Sequence, residues 1–516
     1  MFLFPNNKKP NKQHFIFYPF LFFPECHFPH PMSLSESPFT CPLFGPCFSL
    51  GLVLLFPSYW FVDRLLSCAV PTSIDRSQGC ALRLLRLLLG VPVFLLLFLL
   101  SLPLGILGLL IWAPFHQIRR PFCYQNQSRA HTPPVEMIGG KCTFLFISAN
   151  LCLLPDGLAR FSNLRHTQKR TATISSLLGA PTAPQECQGI NGKSDDSASL
   201  CSTNDVLTRV ENIKEEFPSE ISIDFPRGAD FLCLQEVFDG RASGKLRRLL
   251  APSFPHILYD VGPSGPYNCG FRFFNSGLFL ASRYPPLAAK YFCYPNARGE
   301  DSLAAKGLLC VKVQVGVNEE QQSIVGYINC THLHAPEADA CVRFDQMSHL
   351  LQWVSDFQSE NSEAGEITVF DVLCGDLNFD NCSADDHMEQ SHDLFEVYKD
   401  PCRDCAGRDR SGVLGTLLRP ESLYHEAVNT PDNMKRTLES PNERQLYLAP
   451  PLPLNSNPDV PHWTGRRIDY ILYRPPESFP ATVVDQFLFI TQLAGLSDHI
   501  PISLRLSVTI DPTTSL

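Results

Sequence analysis

Residues 367–380 read ITVFDVLCGDLNFD. An apolar, β-branched run stops on Gly375-Asp376, and Asn378 follows two positions later. A short run of this kind that ends on a turn signal reads as a buried strand. Asp376 and Asn378 alternate, so they share one face only if the strand terminates there, and the GDLN turn permits that. The same design recurs along the chain. FLCLQEV (231–237) ends on Gln235 and Glu236, SIVGYINCTHLHA (323–335) carries Thr331 and His332, and CTFLFISAN (142–150) ends on Asn150. RRIDYILYR (466–474) carries Asp469, and GLSDHIP (495–501) carries Ser497, Asp498 and His499. Further strand-like runs occupy 255–262, 275–285, 307–315, 487–492 and 501–508, and helical patterns occupy 156–178, 203–216, 342–358 and 384–398. Many short strands and few long helices predict an α/β domain over 138–510, two packed sheets with helices outside. Residues 179–202, GAPTAPQECQGINGKSDDSASLCS, are small and polar and predict a disordered surface insert.

The chain has 516 residues, 44% of them hydrophobic and 18% charged, which excludes a disordered protein and leaves room for more than one unit. Acidic residues outnumber basic ones, 52 to 42, for a net charge of -10, which argues against nucleic acid as a partner. The 20 cysteines are scattered, many in apolar runs, and read as reduced, buried thiols of an intracellular protein. Cys402-x-x-Cys405 has no second pair and does not make a zinc site.

The N-terminal quarter differs. Residues 1–36 read as an unstructured extension, with Met32 opening a more ordinary start. Residues 37–120 predict a membrane-associated region with two apolar segments, about 41–62 and 87–115, each long enough to span. Pro92, Pro103 and Gly105 are expected to interrupt the second helix, so a broken hairpin dipping into one leaflet stands beside two spans. Arg83, Arg86, Arg119 and Arg120 bracket that segment and are expected on one side of the membrane, among anionic headgroups.

The polar boxes suit phosphodiester hydrolysis. Glu236 is a hard oxygen ligand for Mg²⁺, with Mn²⁺ as a substitute. His499 takes a proton from water near neutral pH, oriented by Asp469. His332 and Asn378 donate hydrogen bonds to phosphoryl oxygens. No Ser or Cys sits in a nucleophile elbow, so water is the expected nucleophile.

In order and spacing, ANLCLLPDGLAR, DFLCLQEVFD, NSGLFLASRYP, VGYINCTHLHAP, CGDLNFDNC, RRIDYIL and GLSDHIP resemble the membrane-bound neutral sphingomyelinases of the deoxyribonuclease-I-like endonuclease/exonuclease/phosphatase superfamily. YWFVDRLL (59–66) and the double apolar segment extend the resemblance to the N-terminal region. It implies a four-layer α/β sandwich of two mixed sheets flanked by helices. It implies Mg²⁺-dependent cleavage of membrane sphingomyelin to ceramide and phosphocholine, with anionic phospholipids as activators. The family's metal glutamate falls on Glu236. Its phosphate-binding Asn, Asp and Asn fall on Asn150, Asp376 and Asn378, and its active-site histidines on His332 and His499, with Asp498 beside the second. Lys306, five residues after Asp301, falls on a loop that helps shape the site and pairs either with phosphate or with Asp301. The short insert implies the branch described as mitochondria-associated, on mitochondrial or endoplasmic reticulum membranes before Golgi or plasma membrane. A nuclease or phosphoinositide phosphatase on the same scaffold is the competing reading, and it calls for cationic loops. The loop at 262–276 is aromatic instead, with a single Arg272. Two glycosylation acceptor patterns, Asn329-Cys330-Thr331 and Asn381-Cys382-Ser383, abut His332 and Asn378. A glycan there is expected to block the site, which favours an unglycosylated, reducing compartment.

Overall fold

The computed structural model describes residues 34–127, 141–179, 219–262, 272–318, 320–453, 464–475 and 481–510. The expected helix at 203–216, residues 180–202 of the expected insert and residues 1–33 of the expected extension lie outside these.

Two sheets pack face to face. The first takes up β1 (Cys123–Asn126), β2 (Lys141–Asn150), β3 (Ser219–Ser222), β4 (Phe231–Gln235), β5 (His256–Tyr259) and β6 (Phe279–Ser282), together with β14 (Ala481–Ile490) and β15 (Ile502–Thr509). The second is built from β7 (Pro286–Cys293), β8 (Gly307–Val317), β9 (Ser323–His332), β10 (Ile367–Asp376) and β13 (Asp469–Tyr473). A small hairpin, β11 (Arg403–Cys405) and β12 (Arg408–Asp409), stands apart. The strand orders are β1-β5-β6-β4-β2-β15-β14-β3 and β13-β10-β9-β8-β7. Both sheets are mixed: β2 runs parallel to β4 and β10 parallel to β9, while β15 and β13 run antiparallel to their neighbours. The sandwich starts before the expected boundary at 138, because β1 pairs with β5 along the sheet edge.

Every central strand is apolar on both faces because both are covered. On β2 and β4, Phe144, Phe146, Phe231 and Cys233 point between the sheets. Ile147, Ala149, Leu232 and Leu234 point outward, against Ile174 of α6 (Thr167–Leu178) and Leu246 of α7 (Gly240–Leu250). On β10, Val372 and Cys374 face inward, while Leu373 meets Met347, Leu350 and Val354 of α8 (Ala340–Asn361). Helix, sheet, sheet and helix make the four layers. At the centre Phe370 meets Phe144, Phe146 and Phe231 edge-on, with centroids 4.8, 5.1 and 5.4 Å away. Gly326 leaves room for that ring, since an added Cβ would sit 2.1 Å from it.

Two long helices precede the sandwich: α1 (Phe44–Ala69) and, after the short α2 (Ser73–Ser77) and α3 (Cys80–Leu85), α4 (Val91–Ile118). The expected break does not occur. Pro92 sits in the first turn of α4, and the helix continues through Pro103 and Gly105. The irregularity comes earlier, as a π-turn at Arg86–Gly90. The helices pack through small residues: a Cβ on Gly108 would lie 2.6 Å from the Leu55 nitrogen, and the Ser58 and Ser101 hydroxyls are 2.8 Å apart. α1 also outruns its expected end and carries Asp63 and Arg64, which have partners on the sandwich.

Three other expectations change. Arg119 is buried and paired with Asp260 at 2.9 Å, and Arg86 pairs with Asp75 at 2.6 Å, so neither is free for lipid headgroups. Asn329 and Asn381 are fully buried, Asn329 donating to Asp371 at 2.9 Å and Asn381 to Asp409 at 2.7 Å, so the folded protein excludes a glycan on either in any compartment. Cys293 is disulfide-bonded, whereas the other described cysteines are free thiols.

The edge pairing of β1 carries a pH dependence. His256 is buried, with its Nδ1 2.8 Å from the Tyr124 hydroxyl, and burial pushes its pKa down to about 4. An unfolded histidine titrates near ~6.5. Between these values the unfolded chain binds a proton that the folded one refuses, so this contribution is intact above pH ~6.5 and is lost as the pH falls. The melting temperature is expected to drop from pH 7 to pH 5, with a shallower slope in His256→Gln; equal slopes in thermal melts would remove His256 from the effect.

Candidate active site

The polar boxes meet at one end of the two sheets. β2, β4, β9 and β10 all end there, because these parallel strands share one direction. Asn150, at the end of β2, donates from Nδ2 to Glu236 Oε1 at 3.0 Å and to Asp376 Oδ2 at 2.9 Å, tying the sheets together. The same Asp376 oxygen lies 3.5 Å from His332 Nε2 and 3.8 Å from His499 Nε2. His499 Nδ1 is 2.8 Å from Asp469 Oδ2, the orienting contact expected of that pair. Ser497 holds the loop between them, its hydroxyl donating to the Asn150 carbonyl at 2.7 Å.

Backbone turns place two of these side chains. β10 ends at Asp376, and Asn378 takes φ +54°, a left-handed conformation that asparagine tolerates. Its amide nitrogen donates to Asp376 Oδ1 at 3.0 Å, and its side chain donates to the Leu333 carbonyl at 3.0 Å. The alternation of Asp376 and Asn378 is thus resolved by ending the strand. Glu236 takes φ +58°, an uncommon conformation for glutamate that costs on the order of 1–3 kcal/mol.

Lys306 is buried, 3.0 Å from Asp301 Oδ2 and 3.1 Å from the Leu333 carbonyl that also serves Asn378. Of its two expected partners, the structure shows Asp301, which also lies 3.1 Å from His334 Nδ1 and accepts from the Ala335 amide at 2.7 Å. Asp498 is buried beside His499, and its Oδ1 has no partner among the described residues.

The site is crowded with negative charge. Burial pushes the Asp376 carboxyl up to about 7, with His499 opposing the shift and Asp469 adding to it. Burial and the Asp498 carboxylate raise Glu236. Burial opposes charge on His499, yet Asp469, joined by Asp376 and Asp498, holds its imidazole well above the usual range. Burial and then the Lys306 ammonium hold His332 well below it. The surroundings thus bias the two imidazoles in opposite directions, His332 against a proton and His499 toward one. Glu236, His332 and Asp376 offer donor atoms within 4.8 Å of one another, as do Asp376, Asp469 and His499. The second group is already satisfied by the His499–Asp469 hydrogen bond. A divalent cation fits the Glu236 side, where a hard carboxylate oxygen faces uncompensated acid.

Thr416 was not singled out by the sequence. Its Oγ1 accepts from the Ile468 and Asp469 amides, both at 3.1 Å, and fixes the carboxylate behind His499. It lies in GVLGTLLRP, which has neither strand period nor motif.

A sandwich with carboxylates, amides and imidazoles gathered at the strand ends defines a hydrolase of the endonuclease/exonuclease/phosphatase class, and that family's model matches residues 190–499. A second model, the neutral sphingomyelinase N-terminal transmembrane region, matches residues 47–118. Sphingomyelin phosphodiesterase 5 of Danio rerio is 44% identical, covering 93% of this chain and 99% of the relative. Its mouse counterpart is 41% identical over 493 residues, and human sphingomyelin phosphodiesterase 3 is 33% identical over 649, with 93% and 92% of this chain covered. The longer alignment to the latter reflects insertions absent here. The chain belongs to the neutral sphingomyelinase family of sphingomyelin phosphodiesterases. Among solved structures, the SmcL protein (16% identity, TM-score 0.38, 71% of this chain and 99% of that one) and a magnesium-bound Staphylococcus aureus beta toxin (14%, 0.39, 70% and 98%) are similar.

Proposed function

We propose that the protein hydrolyses the phosphodiester of sphingomyelin in a membrane, releasing ceramide and phosphocholine. The observation that carries this is the single cluster formed by Asn150, Glu236, His332, Asp376, Asp469 and His499, in a chain whose relatives along nearly their whole length are sphingomyelin phosphodiesterases. Glu236 would hold Mg²⁺, or Mn²⁺ in its place, with the Asp498 carboxylate nearby. The ion, when bound, polarises a phosphoryl oxygen and offsets developing negative charge. His499 takes the proton of the attacking water at Nε2 while Asp469 fixes its Nδ1 side. His332 and Asn378 donate hydrogen bonds to the phosphoryl oxygens, while both side-chain N–H groups of Asn150 are engaged by Glu236 and Asp376, which it holds in place. Asp376 fixes Asn150 and the Asn378 turn. Lys306 is held behind His332 by Asp301, in position to pair with phosphate should that bridge open.

The membrane we favour is intracellular, mitochondrial or endoplasmic reticulum, on the greater similarity to the relatives without the longer insertion. Anionic phospholipids are the proposed activators. The test is purified full-length protein against sphingomyelin, phosphatidylcholine, phosphoinositide and DNA, with and without Mg²⁺. The expected result is choline-phosphate release from sphingomyelin only, abolished by chelation. Preferential turnover of phosphoinositide or DNA would overturn the substrate reading.

A further inference from the structure

Where β2 leaves its sheet, the next carbonyls lose their ladder partners, and buried carbonyls need donors. The start of α6 supplies them. The Thr167 hydroxyl donates to the Leu154 carbonyl at 2.8 Å. Arg170 is buried, with Nη2 donating to the Cys152 carbonyl at 2.7 Å and Nη1 to the Leu151 carbonyl at 3.2 Å. The same Nη1 donates to the Leu496 carbonyl at 2.7 Å, on the turn between β14 and β15. Among the described residues no carboxylate pairs with this guanidinium, and its Nε has no partner.

Each segment that Arg170 holds carries part of the active site. Cys152 takes φ +46°, a left-handed conformation that an L-residue keeps only when its surroundings hold it. Its amide donates to Asn150 Oδ1 at 3.0 Å, and the Leu153 amide donates to the Glu236 carbonyl at 3.0 Å. The 151–153 loop thereby orients Asn150 and Glu236. On the other segment, the Leu493 carbonyl accepts from the Leu496 and Ser497 amides at 2.8 and 3.2 Å, and the Ser497 hydroxyl accepts from the His499 amide at 3.2 Å. That turn orients His499, and one guanidinium spans both.

Burying a cation away from any carboxylate is costly, and a neutral amide serves a single carbonyl without that cost. Two features favour arginine. Its rigid fork of five N–H groups reaches carbonyls on two segments at once, which a lysine ammonium, a point charge on a flexible stem, does not reproduce. It also brings positive charge beside an acidic site. Burial pushes the Cys152 thiol well above its usual range, Asp498 and Glu236 add to the shift and Arg170 opposes it, so all three surround that side chain.

We propose that Arg170 is a positioning residue. It sets the spacing between the half of the site formed by Asn150 and Glu236, which would hold the cation, and the half formed by His499, which takes the proton. This role rests on the hydrolytic reading above and acts through the two loops.

The test compares full-length Arg170→Ala and Arg170→Lys with wild type, with rates normalised to folded protein from thermal melts. Arg170→Ala is expected to lose about 100-fold in kcat with KM changed by less than about threefold, since displaced groups cost turnover before affinity. Arg170→Lys, which keeps the charge without the fork, is expected to lose about tenfold. In both, the acid limb of the kcat profile and the Mg²⁺ concentration at half-maximal rate should match wild type, because each half stays intact and only their spacing changes. Wild-type kcat per folded molecule in either variant would leave Arg170 a packing role and overturn the proposal. A moved acid limb or Mg²⁺ requirement would confine its effect to one half and overturn it too. Failure of both variants to fold would make it a folding residue, with the same consequence. The ratio of variant to wild type is read on whichever of sphingomyelin, phosphatidylcholine, phosphoinositide and DNA the wild type cleaves, so an error in the substrate leaves the test intact. Hydrogen–deuterium exchange needs no turnover at all. Segments 151–155 and 493–499 should both exchange faster in the variants, and unchanged exchange in either segment would overturn the role.

Discussion

Glu236→Gln is expected to lower kcat/KM on sphingomyelin by about three orders of magnitude, equivalent to ~4 kcal/mol of transition-state stabilisation. The substitution keeps the volume of the side chain and the oxygen that accepts from Asn150 Nδ2 at 3.0 Å. It removes the charge that the proposed Mg²⁺ site rests on. The fold should not suffer. Burial and the Asp498 carboxylate already disfavour the ionised form of Glu236, so a neutral amide relieves repulsion. The variant should therefore melt at or above the wild-type temperature without metal. Mg²⁺ is expected to raise the melting temperature of the wild type and to leave that of the variant unmoved, since a ligand stabilises only what it binds. Wild-type activity, or an unchanged Mg²⁺-induced shift, would remove Glu236 from the metal site.

Asp469→Asn is expected to reduce kcat by about 10²–10⁴ with little change in KM. Asp469 is expected to act through His499. It lies behind His499, 2.8 Å from Nδ1, and is the strongest influence holding that imidazole above the usual range against burial. Removing its charge lowers the affinity of His499 for protons, so the acid limb of the kcat profile should move to lower pH even as the maximum collapses. A variant that is slow with an unmoved acid limb would give Asp469 a packing role only. Thr416→Val offers a milder version of the same test. It removes the hydroxyl that accepts from the Ile468 and Asp469 amides and should loosen the carboxylate without changing its charge.

The strands and the site were readable for one reason. A central strand covered on both faces must be apolar at nearly every position, so the residues that carry chemistry stand out where such a run stops. Asn150, Glu236, His332 and Asp376 announce themselves in this way, and the structure brings them within hydrogen-bonding or ion-pair distance. The family resemblance added the roles, which run length and spacing alone do not supply. The lengths of the apolar N-terminal segments were equally plain, because lipid contact demands an uninterrupted apolar composition. β1 and β3 were not legible. Each has four residues, and each owes its place to the strand beside it, β5 in one case and β14 in the other. Pro103 does not break α4, although its missing backbone donor predicts an interruption.

By itself, then, the sequence determined the layered α/β architecture, the polar residues that end the strands and the presence of an apolar hairpin, because each follows from local composition and period. Tertiary structure alone decided what those pieces face. It buried Asn329 and Asn381, turned Arg119 from a lipid-facing cation into the partner of Asp260, and used Thr416 to fix a carboxylate fifty-odd residues away. It also laid the hairpin along the sandwich, through Asp75 and its arginines. These are pairings between distant residues with no shared period. A charge or an amide in a sequence carries no mark of its partner until the chain has closed the loop between them.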